Sequence, residues 1–229
     1  MRAATIAMRA VLVCSVAAAV LTGCSGGSAA PAERSAQQLL DDANHTMSRL
    51  SWVTVDSTGV SAGGSNTSHM TTDRKSRCTN RTTWAAGGSL EQIRIGDTDY
   101  VRPDAAYLKK AGRGADKAKG RWIRTPANRA QPGDGLASCP YSFPSFGEAA
   151  KGNQVTVGGR KGIEVVVHDR SDRNGRFTFS VATEGKPYIL KIFYEGSDHE
   201  TTTSFSGFDE PLTMEPPAPS DVVDGSTPI

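Results

Sequence analysis

The segment "GKPYILKIFYEGSDHETTTSFSGF", residues 185–208, contains two β-strand patterns separated by a short polar turn. Its first half alternates between two sets of side chains: Tyr188, Leu190, Ile192 and Tyr194 on one face, and Ile189, Lys191 and Phe193 on the other. A period of two is typical of a strand, and the Thr-rich second half also favours one. The segment therefore predicts a β-hairpin.

The same two-residue period, interrupted by turn residues, extends over most of the chain. Gly, Asn and Asp mark turns at 63–66, 96–97, 158–159 and 174–175, and a further turn is expected at 74–76. Turns at this spacing predict about six strands before a loop-rich middle and four or five after it. We therefore expect an α+β domain with a single large antiparallel sheet.

Residues 35–50 predict the clearest helix. Ser35, followed three residues later by Gln38, matches a capping box, and apolar side chains recur at helical spacing from Leu39 to Leu50. A sheet of this size needs a cover on its apolar face. We expect this helix and a few short helical pieces to provide it.

The first 23 residues have the features of a secretory signal. Arg2 and Arg9 precede an apolar run of about twelve residues, which is shorter than the roughly twenty that a membrane span needs. Either Met1 or Met8 serves as the start. Leu21-Thr22-Gly23-Cys24 resembles the lipobox of bacterial lipoproteins, which implies cleavage before Cys24 and a diacylglyceryl group on its sulfur. The alternative is an ordinary secretion signal with an incidental cysteine.

These features divide the chain into four parts. We expect a lipoprotein signal peptide at 1–23, a lipidated Cys24 with a flexible tether at 24–34, a folded domain at 35–208 and a Pro-rich extended tail at 209–229. The lipid would anchor the protein on the extracytoplasmic face of the cell membrane.

Net charge argues against one class of function, and the cysteine content predicts a disulfide. The chain has 26 basic and 24 acidic residues, and loss of the signal leaves 24 of each, so nucleic-acid binding is not expected as its main task. Of the four cysteines, Cys14 leaves with the signal and Cys24 takes the lipid. Cys78 and Cys139 are then expected to form a disulfide, since disulfides persist in exported domains. The alternative is two buried free thiols.

Three segments carry a resemblance to a known group of proteins. They are the helix running into "LSWVTVDSTG" (50–59), the central "IRIGDTDYVRPDAAYLKK" with "GRWIRT" (93–110 and 120–125), and "PYILKIFYEGSDHETTTSFSGFDEPLTMEPPAPSDV" (187–222). The chain resembles actinobacterial surface lipoproteins of the LppX/LprA/LprF/LprG type, whose fold is similar to that of the lipoprotein carrier LolA. The resemblance implies a curved half-barrel sheet wrapped over a few helices, with a lipid or other hydrophobic ligand between the sheet and the helices.

Two sets of residues are candidates for contact with such a ligand. The apolar set, which would line a cleft, comprises Met47, Leu50, Trp52, Val53, Val55, Ile93, Ile95, Val165, Val167, Phe177, Phe179, Ile189, Ile192 and Phe193. The basic set, which could contact anionic headgroups, comprises Lys109, Lys110, Arg113, Lys117, Lys119 and Arg121. The alternatives are that the first set forms an ordinary core and the second a solvated loop.

Motifs for catalysis and metal binding are not found in the sequence. It has no His-Glu-x-x-His, Cys-x-x-Cys, Gly-x-Ser-x-Gly or Walker pattern, so we expect no cofactor, no metal site and no catalytic residues. The first hypothesis is a monomeric, membrane-anchored carrier of a hydrophobic ligand. The second is a structural lipoprotein that binds an envelope protein partner, and a hydrolase is a remote third.

Overall fold

The computed structural model describes residues 34–110, 120–129, 135–143 and 147–225. Its elements are the helices α1 (Ala36–Ser48) and α2 (Ala105–Lys110) and the strands β1 (Val53–Ser61), β2 (Gly64–Thr72), β3 (Arg77–Trp84), β4 (Ser89–Ile95), β5 (Thr98–Pro103), β6 (Trp122–Pro126), β7 (Ala149–Val157), β8 (Arg160–His168), β9 (Arg176–Ala182), β10 (Ile189–Glu195), β11 (His199–Ser206) and β12 (Val222–Asp224). Short 3₁₀ turns lie at 127–129, 135–138 and 219–221.

All twelve strands belong to one open sheet. Their order is β12-β6-β5-β4-β3-β2-β1-β11-β10-β9-β8-β7, and every neighbouring pair is antiparallel except β12 and β6. The expected α+β half-barrel, with a single large curved sheet over a few helices, is confirmed. Strands β1–β6 form an N-terminal half-sheet and β7–β11 a C-terminal half-sheet. The pairing of β1 with β11 joins the two halves.

The hairpin turns follow the predicted glycines. Gly96 separates β4 from β5 with a φ of 60°, and Gly158 and Gly159 separate β7 from β8 with φ of 55° and 78°. Positive φ is accessible to glycine because it has no Cβ. The turn chemistry therefore fixes where these strands end.

Segment 185–208 forms β10 and β11, as its pattern predicts, but β10 contains a bulge. The pairing of β10 with β9 shifts between Ile189 and Lys191. An extra residue in one strand reverses the alternation on one side of it. Ile189 therefore lies on the same face of the sheet as Ile192, whereas strict alternation places them on opposite faces.

Helix α1 covers the C-terminal half-sheet. The Ser35 hydroxyl accepts a bond from the Gln38 amide at 3.1 Å, and the Gln38 side chain accepts one from the Ser35 amide at 2.8 Å, so the predicted capping box is present. A buried apolar stripe that includes Leu39, Leu40 and Met47 faces β7–β10. No helix within the described ranges is long and apolar enough to cross a membrane. We call the face of the sheet under α1 the inner face.

The N-terminal half-sheet is covered by residues 135–143, which we call the strap. The predicted disulfide is present and joins Cys139 of the strap to Cys78 of β3, with 5.7 Å between the Cα atoms. The Thr72 hydroxyl donates to the Cys139 carbonyl at 2.6 Å, and Leu136 is fully buried. Gly135 lies so close to Asn80 that no Cβ would fit.

The tail after residue 208 remains part of the fold. Met214 is buried, and β12 pairs in parallel with β6, opposite Trp122 and its two successors. Segment 210–218 has no regular secondary structure, a 3₁₀ turn follows at 219–221, and the chain then supplies the edge strand β12. The folded unit therefore continues past the boundary expected at 208.

Candidate ligand-binding site

Two cavities open on the inner face, one on each half-sheet, and each has a volume of about 540 Å³. Small-molecule sites usually occupy about 300–1,000 Å³. The strap residue Tyr141 and the β11 residue Thr203 contribute to both cavities and so separate them. We call the cavity between α1 and the C-terminal half-sheet the apolar cavity, and the other the polar cavity.

Five of the fourteen residues that line the apolar cavity carry Phe or Tyr rings. The Phe177 ring lies 6.2 Å from Phe179 and 4.6 Å from Tyr194, centre to centre, and Tyr141 lies 5.1 Å from Phe143 of the strap. The cavity lining also includes Asn44, Ser142, Asp169, Ser171, Ile189, Ile192, His199, Thr201 and Thr203. Such a wall suits an alkyl chain or another apolar group, since burial removes apolar surface from water.

One end of the apolar cavity is closed and the other reaches solvent. Phe179 and Ile189 at the closed end are fully buried, whereas Ser171 and His199 at the other end are exposed. The buried part of this wall is therefore mainly apolar, and the exposed part is polar.

A single helix residue adds a buried polar group to this cavity. The Asn44 side chain is 4% exposed, and neither its amide nitrogen nor its carbonyl oxygen has a hydrogen-bond partner. Among the residues that the structure describes, it is the side chain with buried, unpaired polar atoms. Buried polar groups are nearly always paired in proteins, so Asn44 marks a place where a partner is missing.

The open rim carries negative charge. The Asp169 carboxylate accepts bonds from the Ser171 hydroxyl at 2.6 Å and amide at 2.8 Å, and these bonds hold the pKa of Asp169 below its usual value. The Ser197 amide and hydroxyl lower the pKa of nearby Asp172 to about 2. Both carboxylates are therefore ionised at neutral pH and disfavour an anionic group at the rim.

The polar cavity is bordered by paired amides. The Asn80 amide donates to the Gln92 carbonyl at 3.0 Å and to the Thr82 hydroxyl at 3.2 Å. One step along the inner face, the buried Arg94 guanidinium makes two bonds, at 2.6 and 2.7 Å, to the Asp99 carboxylate. These groups satisfy one another, so this half of the inner face has little need of a guest.

A clamp centred on Arg74 holds the strap against α1. Its guanidinium donates to the carbonyls of Tyr141 at 3.1 Å, Ser48 at 2.7 Å and Leu50 at 3.0 Å. It also lies 5.4 Å from the centre of the Phe143 ring, and burial lowers its pKa. The clamp positions the two strap aromatics at the apolar cavity. Nothing in the sequence around Arg74, a turn between two strands, indicates this role.

The apolar residues expected to line a cleft divide into three groups. The residues that line a cavity are Val55, in the polar one, and Phe177, Phe179, Ile189 and Ile192, in the apolar one. Those packed into the core without lining either cavity are Met47, Leu50, Val53, Val165 and Val167. Those that belong to neither group are Trp52, Ile93, Ile95 and Phe193.

The last group lies on the outer face because of the strand register. Gln92 lines the polar cavity, so its neighbour Ile93 and the alternate residue Ile95 point the other way. Phe193 is likewise next to the cavity residue Ile192.

Trp52 shares the outer face as well. Its ring lies 5.6 Å from the guanidinium of Arg77, and Arg77 precedes the inward-facing Cys78 on β3. These four apolar side chains therefore contact neither cavity.

The basic candidates are only partly placed. Lys109 and Lys110 end α2 and are exposed, and Arg121 is exposed just before β6. Arg113, Lys117 and Lys119 lie outside the described residues, as does Cys24. Headgroup contact and lipidation therefore remain predictions.

Several cavity residues were not singled out from the sequence. Tyr141 ends a segment whose Pro and Gly content indicates only a loop, and Phe143 lies in a segment whose pattern suggests a short helix; the residues that hold them, Cys78 and Arg74, are distant in sequence. Asn44 carries a usable signal, since it follows Leu40 by four residues and precedes Met47 by three on the buried stripe of α1. A polar residue at such a position is unusual.

No group of three or more His, Cys, Asp or Glu side chains within the described ranges is arranged to hold a metal ion. The site is therefore described by its apolar wall, the Asn44 amide and the acidic rim.

Comparison with solved structures shows the same fold in two mycobacterial proteins. LprF from Mycobacterium bovis superposes with a TM-score of 0.57 at 14% identity, covering 80% of this chain and 97% of LprF. The lipoprotein LppX from Mycobacterium tuberculosis gives a TM-score of 0.50 at 10% identity, covering 79% of this chain and 98% of LppX. No family model matches the chain, and no curated protein matches it significantly by sequence. The expected resemblance to the LppX/LprF group is confirmed in the fold.

Proposed function

We propose that this protein is a membrane-anchored surface lipoprotein that binds a hydrophobic ligand in the apolar cavity. The observation that carries the proposal is the cavity itself, about 540 Å³ between α1, the strap and the C-terminal half-sheet, with an aromatic wall and one open end. Its shared fold with LppX, which is named as a lipoprotein, supports a location in the cell envelope.

The energetics favour reversible carriage. Burial of a ten-carbon chain gains about 8 kcal/mol at about 0.8 kcal/mol per methylene, whereas association costs about 4–15 kcal/mol in lost freedom. At the low end of this cost, about 4 kcal/mol of net binding remains, which corresponds to a Kd of about 1 mM. Such a chain binds weakly and is released readily, and a carrier needs both binding and release.

The anchor would be the lipid on Cys24, with the following residues as a tether. About ten extended residues reach roughly 35 Å, enough to hold the domain clear of the headgroups. We expect Cys24→Ala to move the protein from the membrane fraction to the medium, because a lost diacylglyceryl group removes two buried chains. Cys14→Ala is the matched control and should leave the protein in the membrane. Equal partitioning of both variants would contradict the anchor.

Native mass spectrometry tests the ligand. The Cys24→Ala protein keeps the export signal and lacks the lipid, so it can be purified from the medium of its host without detergent. We expect the protein to carry an additional mass that organic extraction releases and identifies as an amphiphile. A bare protein mass in repeated preparations would contradict the proposal and favour the protein-partner hypothesis.

A further inference from the structure

The apolar cavity has a feature that a site for plain hydrocarbon would not need, namely the unpaired amide of Asn44. Resting on the function proposed above, we infer that Asn44 is a specificity-determining residue for amphiphiles that bear a neutral hydrogen-bonding group, such as a hydroxyl or a secondary amide, inside the cavity.

The position of Asn44 supports this inference. It lies on the stripe of α1 formed by Leu40, Ala43 and Met47, all of which are fully buried, and its side chain lines the cavity near the aromatic wall. An apolar residue of similar size there would extend the stripe and avoid an unpaired amide. No protein group pairs with the amide, so a guest that displaces water from the cavity must itself supply the hydrogen-bond partners.

The chemistry of the amide narrows the class of guest. A carboxamide offers N–H donors and one carbonyl acceptor, and both are unpaired in Asn44. A hydroxyl or a secondary amide can satisfy both at once. An ether or ester oxygen can satisfy only the donors, and an alkane satisfies neither.

The rim argues against an anionic guest. The ionised Asp169 carboxylate lies on the cavity wall, with the ionised Asp172 close by. A carboxylate or phosphate would meet repulsion at the rim, or would lose its hydration if it moved inward to Asn44. A neutral donor and acceptor group avoids both costs.

A pair of nearly isosteric probes tests the inference. Dodecanol and dodecyl methyl ether are compared for displacement of the fluorescent reporter N-phenyl-1-naphthylamine, in the wild type and in Asn44→Leu. Loss of one buried hydrogen bond should reduce the preference for the alcohol over the ether about tenfold in Asn44→Leu, while both probes still bind. Thr202→Val, which removes a half-buried hydroxyl from the outer face of β11 and lies outside the apolar cavity, is the matched control and should keep the wild-type preference.

The possible results separate this inference from the proposed function. A preference that changes by less than about twofold in Asn44→Leu, with binding retained, overturns the role of Asn44 and leaves ligand binding intact. Failure of the wild type to bind either probe overturns both. The unfolding temperature of the ligand-free protein gives a second readout. We expect it to rise in Asn44→Leu, and a fall would show that the amide is already paired in the empty protein.

Discussion

The two half-sheets use the same inner face for opposite chemistry. The C-terminal half presents Phe177, Phe179 and Ile192 under a helix and keeps an open volume. The N-terminal half presents Gln92 and other polar groups under a strap that is tied by a disulfide. Apolar burial is not directional, so an apolar wall can accept a guest that comes and goes. Buried polar groups, in contrast, need hydrogen-bond partners in fixed positions.

The polar groups of the two halves differ in how they are satisfied. In the N-terminal half, Asn80 pairs with Gln92, and Arg94 pairs with Asp99. In the C-terminal half, the unpaired group is Asn44 of the covering helix. We therefore expect stability to depend most on the paired network of the N-terminal half, and ligand binding to use the apolar cavity of the C-terminal half. The predictions below test this division.

Loss of the disulfide should have the largest effect on stability. Replacing both Cys78 and Cys139 by Ser frees a connection between residues 61 apart in sequence, which should lower the free energy of unfolding by about 4 kcal/mol. Denaturant unfolding measures the change. Ser138→Ala in the same strap is the control and should leave the midpoint unchanged. A double variant as stable as the wild type would show that the strap does not depend on its covalent tie.

Loss of the buried ion pair between Arg94 and Asp99 should cause the second-largest decrease in the free energy of unfolding. Asp99→Ala leaves the Arg94 guanidinium buried without its carboxylate, and removal of one partner of such a pair costs about 3 kcal/mol. The exposed pair of Lys161 and Glu184 provides the control. Glu184→Gln should give no measurable change in unfolding, because water screens that pair. If the two variants were equally stable, the polar half would not be held together by its ion pair.

Alkaline pH should have a smaller effect, exerted at the wall shared by the two cavities. Burial raises the pKa of Tyr141 to about 12, above its unfolded value of about 10. The folded state thus favours the neutral phenol. The contribution of this phenol to the free energy of unfolding is complete below about pH 10 and is lost as the pH rises through about 12. The wild type should lose about 1 kcal/mol more than Tyr141→Phe between about pH 9 and about pH 11. Parallel pH profiles of the two proteins would contradict this.

Much of the architecture could be predicted from sequence because turns and strand periods are local. Gly96 and Gly158 mark hairpins through their backbone freedom, and Ser35 marks the start of α1 through its hydroxyl. These signals depend on a few neighbouring residues, and together they predict the strands β1–β6 before the middle loop and β7–β11 after it, but not β12 of the tail.

The assignment of faces could not be predicted because it depends on partners distant in sequence. In β4 the apolar residues Ile93 and Ile95 favour an inward placement, but Gln92 and Arg94 face inward instead. Their partners lie on β3 and β5, which one strand's pattern does not show. The bulge beside Ile189 likewise prevents the faces of β10 from being assigned from its own sequence pattern. A large part of the cavity wall depends on such non-local facts.

A pair of blocking substitutions tests most directly whether the ligand occupies the apolar cavity. Ile192→Trp fills the apolar cavity, and Ser68→Trp fills the polar one, since each residue is half-buried and lines one of these two cavities but not the other. Native mass spectrometry of the two proteins, purified alike from their host, measures the retained amphiphile. We expect Ile192→Trp to lose it and Ser68→Trp to keep it. Retention by Ile192→Trp together with loss by Ser68→Trp would contradict the division of labour between the two half-sheets.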